Sequence, residues 1–262
     1  MIKQGSITQF YVLLQVENIF MNLTIDIGNS AAKLVVFNHN QPIYEEITSN
    51  KTLAAIPALL SKYPCEKGIY SSVIRLNEKT KKVLGTLPIP IIGINQKTPI
   101  PIKNLYETPE TLGSDRLASV IGATTLKPEK DLLVIDSGTC ITYEFVDSEG
   151  RYMGGNISPG IHLRLKSLHE HTSLLPSIEA NGEIPEIGFN TETAIRSGVI
   201  QGIQFEMEGY IRSFLKKYPN LLVFLTGGDC FDFDNRIKNI IFADKYLVPR
   251  GLNRILEYND KK

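Results

Sequence analysis

The sequence contains no tryptophan, three cysteines and four histidines. Cys65, Cys140 and Cys230 are scattered and form no Cys-x-x-C pair, which excludes a disulfide framework and a cysteine zinc site. A reducing cytoplasm is the simplest setting for such a chain. An excess of one charge is also missing, since 28 basic residues balance 28 acidic ones. That balance leaves no broad electrostatic footprint for nucleic acid or an anionic membrane, and neither is expected as a partner. No apolar run reaches the ~20 residues that span a bilayer. The stretch FYVLLQVENIF near the N-terminus is interrupted by Gln15, Glu17 and Asn18, and no small-residue cleavage site follows it. Met21 stands directly before the first strand-like run. Residues 1–20 are therefore expected to be an extension outside the fold, with Met21 as the natural start.

What is present suffices for a large core: 42% hydrophobic residues over 262 positions, enough for one large domain or two ordinary ones. The chain opens as a meander, with strands expected at Leu23–Ile27, Ala32–Phe37 and Ile43–Ile47. A helical pattern near Leu53–Lys62 is disturbed by Pro57. A strand at Gly68–Ile74 and a charged helix at Glu78–Leu84 follow. The prolines of PIPIIGINQKTPIPIKNLYETPE predict extended chain and loop. Leu117, Val120, Ile121 and Thr124 fall at helical spacing, predicting a helix over Asp115–Thr125 with Ser114 as N-cap. Lys127–Asp131 is polar and punctuated, and a domain boundary is expected there, between 21–127 and 128–262. The meander then recurs as Leu132–Ile135, Ile141–Val146 and Arg151–Ile157. Helices are expected at Gly160–His171 and at Thr191–Tyr218, with Thr191 as N-cap of the latter. In the second of these, Ile195, Val199, Ile203, Met207 and Ile211 recur every fourth residue. A buried strand at Leu221–Leu225 leads into Thr226-Gly227-Gly228-Asp229, and a helix near Pro249–Glu257 closes the chain.

The two meanders share more than length. TIDIGNS and VIDSGTC both carry Ile-Asp-x-Gly at the first turn, placing Asp26 and Asp136 110 positions apart. Glycine lets a ligand approach the backbone, and turn N–H groups beside a hydroxyl or amide can wrap an anion. A carboxylate at an apolar strand end is costly unless a cation or hydrogen bonds satisfy it. Carboxylate and glycine turn together suit a metal–phosphate pair, and two facing copies suit a polyphosphate. One copy alone is common in plain hairpins. The His169-x-His171 pair does not suggest a metal site, because residues i and i+2 of a helix point apart.

Six segments, in order, carry a family resemblance: DIGNSAAK at Asp26–Lys33, NLYETPETLGSDR at Asn104–Arg116, DSGTCIT at Asp136–Thr142, GGNISPGIHLRLKSLHEHTSLLP at Gly154–Pro176, NTETAIRSG at Asn190–Gly198, and TGGD. The chain resembles the type III pantothenate kinases, of the actin, sugar kinase and Hsp70 superfamily. The resemblance implies an α/β fold of two tandem ribonuclease H-like domains, each a mixed five-stranded-type sheet with flanking helices, and an active-site cleft between. It implies phosphorylation of pantothenate by ATP, the first step of coenzyme A synthesis, in a cytoplasmic homodimer.

By the same resemblance, Asp26, Ile27, Gly28, Asn29, Ser30, Ala31, Ala32 and Lys33 form the first ATP phosphate loop. Asp26 then helps hold Mg²⁺, through water. Thr139 contacts ATP phosphate, and Asp136 binds a monovalent cation, potassium or ammonium. Asp115 matches the catalytic base; taken alone, it equally suits the N-terminus of the helix that follows. Tyr106, Gly113, Ser114, Asp115, Arg116 and Thr191 match substrate-binding positions, Thr191 reaching the neighbouring subunit's pocket. Arg116 taken alone suits an anion clasp or a surface salt bridge. Three departures stand out: Glu144 where the family often has Asp, Cys140 in place of a small residue, and Ser30 in place of Thr. Two other functions fit the same fold: a kinase of another small hydroxyl acceptor such as a sugar, and a nucleotide-binding transcriptional accessory factor. The short chain and Gly113–Arg116 oppose the first; the joint presence of Asp26, Asp115 and Asp136 opposes the second.

Overall fold

The computed structural model describes residues 21–229 and 238–260. The expected extension 1–20 and Cys230 lie outside them. The first sheet contains β1 (Met21–Ile27), β2 (Ala32–Asn38), β3 (Gln41–Thr48), β4 (Cys65–Ser72) and β5 (Ile91–Gly93), in the order β3-β2-β1-β4-β5. The second contains β6 (Lys103–Asn104), β7 (Leu132–Ser137), β8 (Cys140–Val146), β9 (Arg151–Pro159), β10 (Leu222–Gly227) and β11 (Ile241–Ala243). Its order is β11-β10-β7-β8-β9-β6. Removing β6 leaves the same topology in both sheets: an antiparallel meander, then two parallel strands beside its first strand. The repeated sequence device is thus a repeated fold, and both sheets are mixed as expected. The second gains a sixth strand because Lys103–Asn104, which precedes the expected boundary, pairs with Arg151 and Tyr152 of β9.

Five layers stack. The helices α1 (Ile56–Lys62) and α2 (Glu78–Gly85) cover the outer face of the first sheet, where Leu23, Ile25, Ile27, Leu34 and Val36 meet Ile56, Leu59 and Leu84. On the outer face of the second sheet lie α4 (Ile161–Glu170) and α5 (Thr191–Lys217). The predicted stripe Ile195, Val199, Ile203, Met207, Ile211 is buried there against Leu133, Ile135 and Tyr143. Between the sheets run α3 (Ser114–Leu126) and α6 (Leu247–Asp260). Helix α3 faces both ways: Ala118 and Ile121 join Ile69 of the first sheet, while Val120 and Ala123 join Leu132 and Val134 of the second. Because β1 is covered on both faces, its polar residues Asn22 and Thr24 are buried as well. Asn22 resolves this by donating to Asn253 of α6, at 2.8 Å.

Local boundaries differ from expectation for identifiable reasons. Ser114 is the first helical residue of α3 and Gly113 the N-cap, with no side-chain cap; the Asp115 carboxylate turns back to accept the Arg116 N–H at 2.8 Å. Thr191 is not the N-cap of α5. Asn190 is, and it forms a reciprocal capping box with Thr193. Pro57 falls in the first turn of α1, where a missing N–H costs nothing, so the helix begins at Ile56. Strand β4 lies earlier than expected because it pairs with β1 from Met21 onward.

The middle layer depends on two glycines. A Cβ on Gly251 would lie 1.7 Å from the Ala118 carbonyl oxygen, and one on Gly122 would lie 2.1 Å from that of Leu247. The helix backbones touch where these side chains are missing. Gly251→Ala is expected to lower stability by about 3 kcal/mol through overpacking. Urea unfolding checks this, and a change too small to resolve would show that the contact has slack.

Candidate active site

The two hairpin tips and the start of α3 meet at one cleft. At the first tip, the Gly28 N–H donates to Ala31 O at 3.0 Å. Buried Asn50 braces the same loop, donating to Gly28 O at 2.9 Å and Asn29 O at 2.8 Å. Asn50 was not foreseen; in the polar stretch TSNKT it reads as an ordinary loop residue. At the second tip, Gly138 N–H donates to Cys140 O at 3.0 Å, and Gly160 N–H donates to Thr139 O at 3.0 Å. The Thr226–Asp229 turn is strapped to this tip. Gly228 N–H donates to Ser137 O at 2.9 Å, and buried Ser137 donates its hydroxyl to Asp229 at 2.9 Å. The third glycine turn and the second hairpin are therefore one unit, held by the pairing of Thr226 with Asp136 in adjacent parallel strands.

Three carboxylates converge between the tips. Asp26 ends β1 opposite Lys33, and its carboxylate accepts the Ser71 hydroxyl at 2.8 Å. Burial pushes its pKa up to about 6; the Ser71 bond opposes the rise, Asp115 adds to it, and Lys33 opposes it. Asp136 is pushed up to about 7, first by burial and then by the negative charges of Asp115 and Asp26. Asp115 is raised too, chiefly by burial, against the pull of the backbone N–H bonds at its helix end. Asp26 and Asp136 thus both feel Asp115 across the cleft, and Lys33 is the cation that both hairpin acids sense. Among the described residues no three His, Cys, Asp or Glu side chains are close enough to hold a metal by themselves. That arrangement suits hard cations whose remaining ligands are water and phosphate oxygens, as is usual for Mg²⁺ beside a nucleotide. The donors available, carboxylates and a serine hydroxyl, are all oxygen.

The remaining anticipated residues are placed as follows. Lys33 reaches out of β2 and donates from Nζ to Lys245 O at 2.7 Å. Gly113 and Ser114 line a cavity of about 610 Å³ together with Ser72, Ile94, Gln96 and Leu112. Arg116 is buried and forms neither a surface salt bridge nor an open anion clasp. Its Nε and Nη2 grip Glu144 at 2.5 and 2.9 Å, and Tyr152 donates its hydroxyl to the same carboxylate at 2.5 Å. Tyr106 lies under this group, its ring 5.5 Å from the Arg116 guanidinium and 6.1 Å from the Tyr152 ring. Glu144 is fully buried, and its partnership with Arg116 was invisible in sequence because 28 residues separate them. Thr191 is exposed at the first position of α5, and no hydrogen bond links it to the three acids among the described residues.

Two hairpin tips, a strapped glycine turn and a helix-borne acid form the geometry of a nucleotide-dependent phosphotransferase. A sequence profile of the type III pantothenate kinases matches residues 22–213. The chain belongs to that family. A type III pantothenate kinase of Phocaeicola vulgatus is 55% identical over 241 residues, covering 92% of this chain and 100% of the relative. One from Bacteroides fragilis is 54% identical over 240 residues, covering 92% and 99%. Among solved structures, a Baf family transcriptional activator from Campylobacter jejuni superposes with a TM-score of 0.54 at 24% identity, covering 92% of this chain and 100% of that one. The activator of 2-hydroxyisocaproyl-CoA dehydratase from Clostridium difficile, with bound ADPNP, gives 0.52 at 15% identity, covering 93% and 98%. At these identities the two structures share the fold.

The acid cluster has a consequence for stability. Native Asp26 and Asp136 titrate near 6 and 7 against an ordinary value of 3.8. Between those values the folded chain keeps protons that the unfolded chain has released. The contribution of these two acids to the stability of the ligand-free protein therefore falls as pH rises from about 4 to about 7 and levels off above. Asp136→Asn removes part of that loss. It is expected to raise stability by about 1–3 kcal/mol at pH 8 while leaving it nearly unchanged at about pH 4. Thermal unfolding without nucleotide measures both. A variant no more stable than wild type at pH 8 would show that Asp136 is not held against its own charge.

Proposed function

We propose that the protein transfers the γ-phosphoryl group of ATP to the hydroxyl of pantothenate, giving 4'-phosphopantothenate, the first step of coenzyme A biosynthesis. The observation that carries this reading is the convergence of Asp26, Asp115 and Asp136 on one cleft in a chain of this family. The triphosphate lies between the Asp26–Lys33 loop and the Thr139 turn. Asp115 accepts the hydroxyl proton as the acceptor oxygen forms its bond to phosphorus and the bond to the ADP oxygen breaks. Its raised pKa makes it a better acceptor than an ordinary aspartate. Asp26 would hold Mg²⁺ through water, and Asp136 potassium or ammonium; bound there, these ions neutralise the charge that phosphate and carboxylate bring together.

Pantothenate is held in this reading by Tyr106, Gly113, Ser114, Arg116 and Thr191 of a second copy. Glu144 already occupies two of the three Arg116 nitrogens, so Arg116 serves mainly to fix Tyr106 and the start of α3. Homodimerisation is supported by a groove of about 730 Å³ between α4 and α5, lined by Leu163, Leu168 and Val199. Leu174, Ile187, Phe189 and Phe205 add exposed apolar surface in the same half of the chain. Domains of 21–127 and 128–262 and a cytoplasmic setting belong to the same reading. Among the described residues no helix is long and apolar enough to cross a membrane.

The test is ADP release with pantothenate against a panel of sugars. Release with pantothenate alone, needing potassium or ammonium, is expected; activity without either ion would contradict the role given to Asp136. Asp115→Asn is expected to lower turnover by about 10²–10⁴-fold while ATP still binds. Retained turnover would remove Asp115 as the base.

A further inference from the structure

A chain of polar contacts runs from α5 to the second hairpin tip. It begins at Glu206 on α5. Glu206 Oε1 accepts the Tyr143 hydroxyl at 2.7 Å, and Oε2 accepts Arg164 Nη2 at 2.6 Å. Tyr143 in turn stacks on Tyr210 of the same helix, with ring centroids 4.0 Å apart. Burial alone would raise the Glu206 carboxyl, but the bonds from Arg164 and Tyr143 hold it below its ordinary range. The carboxylate is charged and fully engaged.

Arg164 passes the restraint on. Its Nη2 also donates to the Ser158 hydroxyl at 2.7 Å, and its Nε donates to Pro159 O at 2.7 Å. One guanidinium thereby fixes the last two residues of β9. The next residue is Gly160, whose N–H holds Thr139 O at 3.0 Å. A Cβ at Gly160 would sit 2.1 Å from Gly138 O, so backbone lies directly on backbone with no room for slippage. The Gly138–Thr139 turn thus rests on Pro159 and Gly160, and the Pro159 end of β9 is held both by its pairing with Cys140 and by Arg164.

We infer that Arg164 and Glu206 are positioning residues for the nucleotide phosphates, clamping the Thr139 turn through Ser158–Gly160. The inference rests on the reading of that turn as a phosphate site. Two features distinguish it from general packing. Arg164 is a charged side chain spent on a strand end and one carboxylate. Its guanidinium bonds go to Ser158, Pro159 and Glu206, next to the turn, while α4 joins the hydrophobic core separately, through Ile161 and Leu165.

The test compares Arg164→Leu, Arg164→Lys, Glu206→Gln and Tyr143→Phe with wild type. Each is measured for KM of ATP, KM of pantothenate, thermal midpoint, and direct binding of a non-hydrolysable ATP analogue by calorimetry. Loss of a charge-assisted restraint predicts that Arg164→Leu and Glu206→Gln weaken analogue binding and raise the ATP KM about tenfold. The pantothenate KM is expected to stay near wild type, and Arg164→Lys to recover part of the loss. Tyr143→Phe removes one hydroxyl and gives a smaller shift of the same sign, which keeps the test open if the bolder variants fold poorly. Folded variants with unchanged nucleotide affinity, or a change confined to the pantothenate KM, would overturn the inference. The calorimetric arm separates the two readings. If wild type binds the analogue yet does not phosphorylate pantothenate, the acceptor assignment fails while the clamp is still measured.

Discussion

The close approach of α3 and α6 is the constraint on which the rest depends. At Gly122 and Gly251 the helices meet backbone to backbone, and among the described residues the pair forms the layer that touches both sheets. Helix α6 also ties down the first half: Asn253 donates to His39 O at 2.9 Å, and Arg250 donates to Asn40 O at 3.0 Å. Asp115 stands one turn before Ala118, the residue against which Gly251 packs. The contact that joins the two halves therefore also fixes the acid between their hairpins. Any shift of α6 along α3 would move the hairpin tips relative to Asp115, so the packing of the middle layer and the geometry of the acid cluster are one.

Against that rigidity the cleft stores electrostatic cost. A pKa displaced by one unit corresponds to about 1.4 kcal/mol, and both Asp26 and Asp136 are displaced by more than that. The buried apolar clusters on both faces of the two sheets lie apart from this cleft and offset its cost. Cations bound at the cleft would relieve the repulsion, so cation binding would stabilise the fold. Lys33 cannot do this alone, since its ammonium is also held by the Lys245 carbonyl and lies 4.0 Å from Glu45. The first loop is thereby tied to the segment after β11, a second link across the cleft.

Much of this was legible in the sequence, and the pattern of success is physical. The repeated Ile-Asp-x-Gly showed the duplication because a hairpin turn is local: the residues that shape it sit within four positions of one another. The four-residue stripe of α5 was legible for the same reason, and every member of it is buried. What escaped depends on distant partners. Strand β6 contributes two residues to the sheet of the other half, and β11 contributes three; neither is long enough to show a period. Asn50 braces a loop 21 residues away. The caps of α3 and α5 were each displaced by one residue, at α5 because Asn190 and Thr191 are both good caps and at α3 because the backbone path puts Gly113 there without a side-chain cap. The burial of Arg116 escaped as well, since it depends on Glu144, Tyr106 and Tyr152, which three separate segments deliver.

Glu144 shows how a departure from the family pattern is accommodated. A glutamate reaches one methylene further than the aspartate that the family resemblance leads one to expect there, and in a packed interior that length needs space. The space lies over Gly155 of β9, where a Cβ would come within 2.2 Å of Glu144 Oε2. With no side chain at Gly155, the carboxylate extends across the strand and engages both Nε and Nη2 of Arg116, with Tyr152 closing the third side. A shorter acid at this site would have to draw Arg116 toward β8 or release one of its two bonds. Because Arg116 directly follows Asp115, either change would be felt at the start of α3. The longer side chain thus sets how far the buried guanidinium, and with it the acid of the cleft, stands from the second sheet.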